Sequence, residues 1–465
     1  MKNNLLIKNA ILVDANSTKK TDIFSKNGKI VSIATSITDY STDTLIYDAE
    51  ENYVFAGAID PHVHLQLPIK DGFTADNFLT GSKAAIIGGT TTIIDFVTPQ
   101  KNQSFFEALN LRKEEAKNSY TDYSLHVSPT WWGENSASQM QECIKSGVSS
   151  FKVYLAYKQT IGIDDSILIK VFETASQNNA IVTLHCENGD TIQHLQNMFI
   201  TNGLTTARYH ALSRPQETEV EAVFRAIELA KIYNTTIYIV HISTGAAVQL
   251  VKNAQLKGQK VMAETCPHYL VLNDEAYLMP ENKAVGFIMS PPLRKKNDNE
   301  ELWKNIQSGH IQTVGTDHCP FFLKTQKNNS SANFAAIPNG VGGIEHRLSL
   351  LYNFGVLQNK ISMNKLVEVC AEKPAEIFGL HHCKGFIKNG FDADIVVWDT
   401  ETEWTITNEN IAHNCDYSIY EGLTLKGKPK TVFQKGKIVF NNNQFFPENC
   451  KSSFIEQKMS YLVEK

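Results

Sequence analysis

No stretch of this chain is apolar for anything near the roughly 20 residues that span a bilayer. The opening segment, 1–8, is apolar too briefly for a secretory signal. No excess of basic charge is present either: net charge is −5 and the pI about 6.3, which excludes a polybasic nucleic-acid groove or membrane patch. The cluster Arg294-Lys295-Lys296 is followed at once by acidic residues and reads as a solvated loop. The eight cysteines contain no CxxC pair, so neither a zinc ribbon nor a disulfide framework is written in their spacing. Internal repeats and low-complexity tracts are lacking as well. These absences point to a cytoplasmic globular protein with neither nucleic acid nor membrane as partner.

At 465 residues the chain has ample length for a large core and for two structural units. Eight short apolar runs read as strands: 54–60, 91–97, 123–128, 149–154, 181–184, 237–240, 261–265 and 311–315. Segments with helical patterning separate them, at 75–87, 104–117, 164–177, 216–232, 245–256 and 299–307, and 365–378 predicts a closing helix. Buried strands that alternate with helices predict an α/β protein built on a closed parallel (β/α)8 TIM-type barrel. The rival is an open doubly wound sheet, which would gather its functional residues at one crevice. The flanks differ. Strand-like pieces at 5–13, 29–33, 394–398 and 431–440 are too few at either end to make a stable sheet alone. The expectation is one small β-sandwich domain built from both termini, 1–53 and 383–465, around a barrel at 54–382.

Five of the runs deliver a chemically competent residue at their C-terminal ends. The first leads into Asp60-Pro61-His62-Val63-His64, the fourth carries Lys152, and the fifth and sixth end at His185 and His241. The eighth is followed by Thr316-Asp317. Residues i and i+2 of a strand share a face, so His62 and His64 can reach one ion. Taken alone, each histidine also fits a satisfied core side chain; together with a buried carboxylate they favour metal coordination. A closed ring brings ends of strands one, four, five, six and eight together at one mouth, where barrel enzymes keep their sites. Lys152 is the oddity, because an ammonium would repel neighbouring cations. Two readings stay open on the residues alone. Either Lys152 pairs with Asp317 beside a single ion, or its amine has added CO2 to give a carbamate able to bridge two ions.

Several segments resemble the dihydropyrimidinase/D-hydantoinase branch of the cyclic amidohydrolases. They are Gly57-Ala58-Ile59-Asp60-Pro61-His62-Val63-His64, Gly88-Gly89-Thr90-Thr91, Phe151-Lys152-Val153-Tyr154-Leu155-Ala156-Tyr157-Lys158 and His185-Cys186-Glu187-Asn188-Gly189-Asp190. Ser290-Pro291-Pro292-Leu293-Arg294, Gly315-Thr316-Asp317-His318-Cys319-Pro320 and Ile337-Pro338-Asn339-Gly340 continue the match in order. The resemblance implies two zinc ions bridged by carboxylated Lys152. His62, His64 and Asp317 complete one shell, and His185 and His241 the other. It also implies Tyr157 as oxyanion donor, Ser290 and Asn339 as main-chain contacts to a small cyclic amide substrate, and a homotetramer. The implied reaction is hydrolysis of 5-substituted hydantoins or dihydropyrimidines to N-carbamoyl amino acids, with Asp317 carrying the proton.

Two features separate the chain from the dihydroorotase relatives. Gln66 stands where they carry an arginine, and Tyr157 is present; Cys266-Pro267-His268-Tyr269 is closer to the dihydroorotase and allantoinase pattern. The alternatives are therefore an allantoinase or other cyclic amidase on the same barrel, or a non-catalytic scaffold relative. The ring substituent is expected to meet loops 65–73, 129–133 and 154–161, with Trp131 and Trp132 as a candidate aromatic wall.

Overall fold

The computed structural model describes residues 4–69, 72–328 and 333–458. Eight parallel strands form one sheet in sequence order: Ala58–Val63, Thr90–Val97, Asp122–Val127, Ser150–Tyr154, Ile181–His185, Thr236–Ile239, Val261–Thr265 and Thr313–Val314. A parallel bridge between Val63 and His318 joins the last strand end to the first, and the His64 amide donates to the His318 carbonyl at 2.8 Å. The ring is thereby closed at its C-terminal rim. Most of these strands are buried along their whole length, as strands covered on both faces must be, and their β-branched content suits that setting.

Helices between the strands start at polar caps. Asn77 caps Phe78–Ile87 in a reciprocal box with Thr80, and Ser104 caps Phe105–Glu115. Asn188 caps Gly189–Thr201, and Thr244 caps Gly245–Leu256. Each cap oxygen takes up an amide that the first helical turn leaves unpaired. Helix Gln216–Tyr233 stops at Asn234, which turns left-handed at φ 51°. The expected closing helix is helical in three pieces, Met363–Val367, a wide turn over Glu368–Glu372, and Lys373–Ile377.

The run 54–60 is not one strand. Tyr53–Ala56 pairs with Ile395–Thr405 in a second sheet, and the barrel begins at Ala58. Gly57 makes the crossing, where a Cβ would sit 2.2 Å from the Thr91 hydroxyl. The second sheet has nine strands drawn from both ends of the chain and is mostly antiparallel. It curls over, so that Tyr47 meets Phe433 edge-on at 5.2 Å and encloses its own core of Leu5, Ile7, Leu12, Ile23, Ile395 and Phe433. A buried ion cluster fastens it to the barrel. The Lys384 ammonium lies against Asp122 at the start of the third barrel strand, 2.9 Å from Asp392 and 2.6 Å from Asp394.

Candidate metal centre

Strand ends set the positions of the candidate ligands. His62 lies in the first barrel strand and His64 just beyond it, with Phe96 of the second strand stacked on His64 at 4.5 Å. Lys152 is in the middle of the fourth strand, and His185 closes the fifth. His241 and Asp317 sit past the sixth and eighth strands in left-handed turns, φ 39° and 48°. Such a backbone is costly for these residue types and is held only where its surroundings impose it.

The side chains converge. His62 Nε2 and His64 Nε2 lie 3.1 and 3.2 Å from Asp317 Oδ1 and 3.3 Å from each other. His62, His241 and Asp317 each offer a ligand atom, and these lie within 4.8 Å of one another. His185 Nδ1 is 2.9 Å from His241 Nε2. Partners on the far side of two of the rings assign their tautomers. His62 Nδ1 faces Glu264 Oε1 at 2.7 Å, and His185 Nε2 faces Glu187 Oε2 at 2.8 Å. Both carboxylates require a donor, so the remaining ring nitrogens turn their lone pairs into the mouth. Where two acceptors meet at such distances, as His62 Nε2 and Asp317 Oδ1 do, a proton or a metal ion must lie between them. Imidazole and carboxylate together suit a borderline divalent ion such as zinc.

Charge in this mouth is perturbed accordingly. Burial alone would raise Asp317, but the neighbouring His62 and His64 outweigh it and hold the carboxyl well below its ordinary value. Burial, together with His185 and Lys152, drives His241 well below the usual imidazole range. Burial also pushes the Lys152 amine down to about 8. Its Nζ has no hydrogen-bond partner among the described residues and hangs 5.0 Å over Phe96 and 5.1 Å over Tyr154. No ion pair joins Lys152 to Asp317 among the described residues, whereas an unpaired buried amine with a lowered pKa is the form that can add CO2. The donor set fits a metal centre, with the Lys152 amine unpartnered beside it.

Tyr157 and the residues expected to meet a substrate lie near the same mouth. Tyr157, at φ 58°, has its ring 5.3 Å from His185, and the Arg214 guanidinium lies 5.6 Å from the ring centre. The phenol lies in the neighbourhood of Ser290 and Asn339. A cleft of about 770 Å³ opens beside Phe96 and is lined by Leu67, Pro68, Trp131, Trp132 and Ile161. Residues 70 and 71 of the expected loop 65–73 lie outside the described residues.

Three carboxylates behind the ligands did not emerge from the sequence. Glu264 Oε1 binds His62 and also accepts the His241 amide at 3.1 Å, while its Oε2 accepts the Tyr238 hydroxyl at 2.7 Å. Glu187 is paired with Arg214 at 2.5 Å. Asp60 receives the amides of His62 and Thr316 at 3.2 and 3.1 Å. The signal was available for Glu264: a carboxylate inside an otherwise apolar strand must have a partner, which is the argument that singled out Asp317. Among the described residues, the other acidic group that could hold an ion, Asp122 with Asp392 and Asp394, is already filled by the Lys384 ammonium.

Comparison with known proteins places this geometry in context. The Amidohydrolase family matches residues 53–439. The chain is 37% identical over 455 residues to the D-hydantoinase of Ralstonia pickettii, covering 98% of this chain and 99% of the relative. It is 37% identical over 443 residues to the D-hydantoinase of Geobacillus stearothermophilus, covering 95% and 93%. The solved dihydropyrimidinase of Brevibacillus agri NCHU1002 superposes with a TM-score of 0.96 at 36% identity, covering 98% of this chain and 99% of that one.

Proposed function

The chain belongs to the amidohydrolase family, and from that premise we propose that it hydrolyses the cyclic amide bond of 5-substituted hydantoins or dihydropyrimidines, releasing N-carbamoyl amino acids. The observation that carries this reading is the meeting of four imidazoles, Asp317 and an unpartnered Lys152 at one barrel mouth beside Tyr157. We take the barrel, expected at 54–382 and beginning at Ala58, as the hydrolase unit, and the terminal segments, 1–53 with 54–56 and 383–465, as the small β domain.

In this reading His62, His64 and Asp317 would hold one zinc ion and His185 and His241 a second, with carboxylated Lys152 as the ligand they would share. Zinc supplies Lewis acidity, lowering the pKa of water to about 7 and polarising a carbonyl. Asp317 accepts the proton of the attacking water and passes it to the departing ring nitrogen. The Tyr157 hydroxyl donates to the developing oxyanion; burial, the largest influence on it, keeps that phenol protonated. Main-chain atoms of Ser290 and Asn339 hold the ring. The eight free cysteines suit a reducing cytoplasm, and the assembly proposed is a homotetramer.

The test is turnover of dihydrouracil, hydantoin, 5-phenylhydantoin, allantoin and dihydroorotate by protein of measured zinc content. Turnover of hydantoins and dihydropyrimidines is expected, whereas preference for allantoin or dihydroorotate would move the chain to another branch. Lys152→Ala should lose metal and be rescued in part by short carboxylic acids. Asp317→Asn should abolish turnover, and near-normal rates would remove Asp317 from the proton path.

A further inference from the structure

The ribbon from Gly286 to Pro291 has an unusual pattern of carbonyl partners. Tyr417 donates its hydroxyl to the Gly286 carbonyl at 2.8 Å, and Tyr277 to that of Phe287 at 3.0 Å. The Lys327 ammonium reaches the Ile288 carbonyl at 2.7 Å, which also accepts the Gly340 amide at 3.1 Å. His210 Nε2 donates to the Met289 carbonyl at 2.7 Å, and Tyr269 to that of Pro291 at 2.6 Å. These six donors come from six separate segments of the chain. Among the described residues, the Ser290 carbonyl alone in this ribbon accepts no hydrogen bond. Buried carbonyls are paired as a rule, and Ser290 is only 7% exposed. The unpaired member therefore marks where an external donor belongs.

The donors are themselves costly to bury. Lys327 is fully buried, with its amine pushed down by burial to about 7 and no carboxylate beside it among the described residues. The turn that carries it, Leu323–Lys327, is held from the terminal sheet's loop by Asp416, which accepts the amides of Leu323 and Lys324 at 2.6 and 3.1 Å. Through Gly340, the Ile288 carbonyl also ties the ribbon to Asn339, the second residue assigned to the ring. Burial keeps His210 neutral, with a pKa lowered to about 3, so its Nε2–H serves as an uncharged donor.

We propose that Lys327, His210 and Tyr269 are positioning residues that fix the Ser290 carbonyl to receive a ring N–H of the cyclic amide. The donors on either side of Ser290 leave that one acceptor unpaired and immobile, so the substrate meets it without reorganising the loop. This rests on the reading of Ser290 as a main-chain contact to the ring.

The test uses the zinc-loaded holoenzyme and two substrates, 5-phenylhydantoin and its derivative methylated on the imide nitrogen. Lys327→Met, His210→Phe and Tyr269→Phe are compared with wild type. Wild type should prefer the N–H substrate in kcat/KM. Each variant should lose about five- to tenfold of that preference, mainly through a higher KM for the N–H substrate, with zinc stoichiometry unchanged. Equal losses on both substrates, leaving the preference intact in the variants that fold, would overturn the proposal and leave these side chains as packing. A wild type without preference would instead overturn the Ser290 reading, and the positioning role with it.

Discussion

Replacing Glu264 with Gln tests how much of the centre depends on the carboxylate behind it. Glu264 is fully buried and holds three donors at once: the His62 ring at 2.7 Å, the His241 amide at 3.1 Å and the Tyr238 hydroxyl at 2.7 Å. Glutamine has the same shape but no charge, and one of its oxygens becomes an NH2. That NH2 would face a Tyr238 hydroxyl which lies only 2.6 Å from Thr313 Oγ1. There is no room to turn away, since even a Cβ on Gly315 would come within 2.5 Å of Glu264 Oε2. Exchanging a charge-assisted bond for a neutral one costs about 1–2 kcal/mol. At about 1.4 kcal/mol per decade this is roughly tenfold or somewhat more in affinity, within the 10–100-fold range for partners of metal-bound histidines. Because Glu264 touches one histidine of each proposed shell, both ions should weaken together. The assay is zinc retention against a graded chelator, read by elemental analysis, with a fold check by circular dichroism. Wild-type retention within about twofold would refute the claim that Glu264 orients the ligands.

Lys384→Met leaves Asp122, Asp392 and Asp394 without their central cation; a loss of about 3–5 kcal/mol is expected in urea unfolding, and a loss under 1 kcal/mol would count against the cluster as a fastening. Acid should unfold the protein early. Burial, the largest cause for each, lowers His126 and His210 to about 3 and His413 to about 4 in the fold, while in the unfolded chain they titrate near 6.5. Their contribution is therefore complete above pH 6.5 and lost as pH falls below it, by about 1.4 kcal/mol per unit for each residue, or roughly 4 together. Unfolding free energies of chelator-treated protein at pH 7.5 and 5 read this directly, and a flat profile would contradict it. Trp132→Ala should raise KM for 5-phenylhydantoin about tenfold and leave dihydrouracil nearly unchanged, since Trp132 lines the cleft beside Phe96; equal effects on both substrates would make it rim packing.

The barrel was readable because each of its strands is hidden on both sides and so appears as an unbroken apolar run. Val261–Thr265 coincides with the expected strand, and most of the others differ by a residue or so at the ends. The run 54–60 misled because apolar character continues across Gly57 while the chain passes from one sheet to another, and periodicity carries no sign of a change of partner. The eighth strand is shorter than expected, Thr313–Val314, since its rim contacts pass to His318. Ligand candidates stood out as polar residues at the ends of apolar runs. The supporting groups did not, because Arg214, Lys327 and His210 lie in a loop, a wide turn and a short helix, and their targets are set only by tertiary packing.

One residue, Gly57, separates the strand that carries His62 from a strand whose neighbour, Ile395–Thr405, lies more than 300 residues later in the chain. During synthesis the first ligand strand therefore leaves the ribosome long before the surface that anchors its root exists. Until that later segment emerges, Tyr53–Ala56 offers an open edge to any passing strand, and two histidines wait beside it with nothing to aim them. Assembly of the centre is thus a late event in the life of the nascent chain, and its yield in a cell should depend on how well that edge is shielded in the interval.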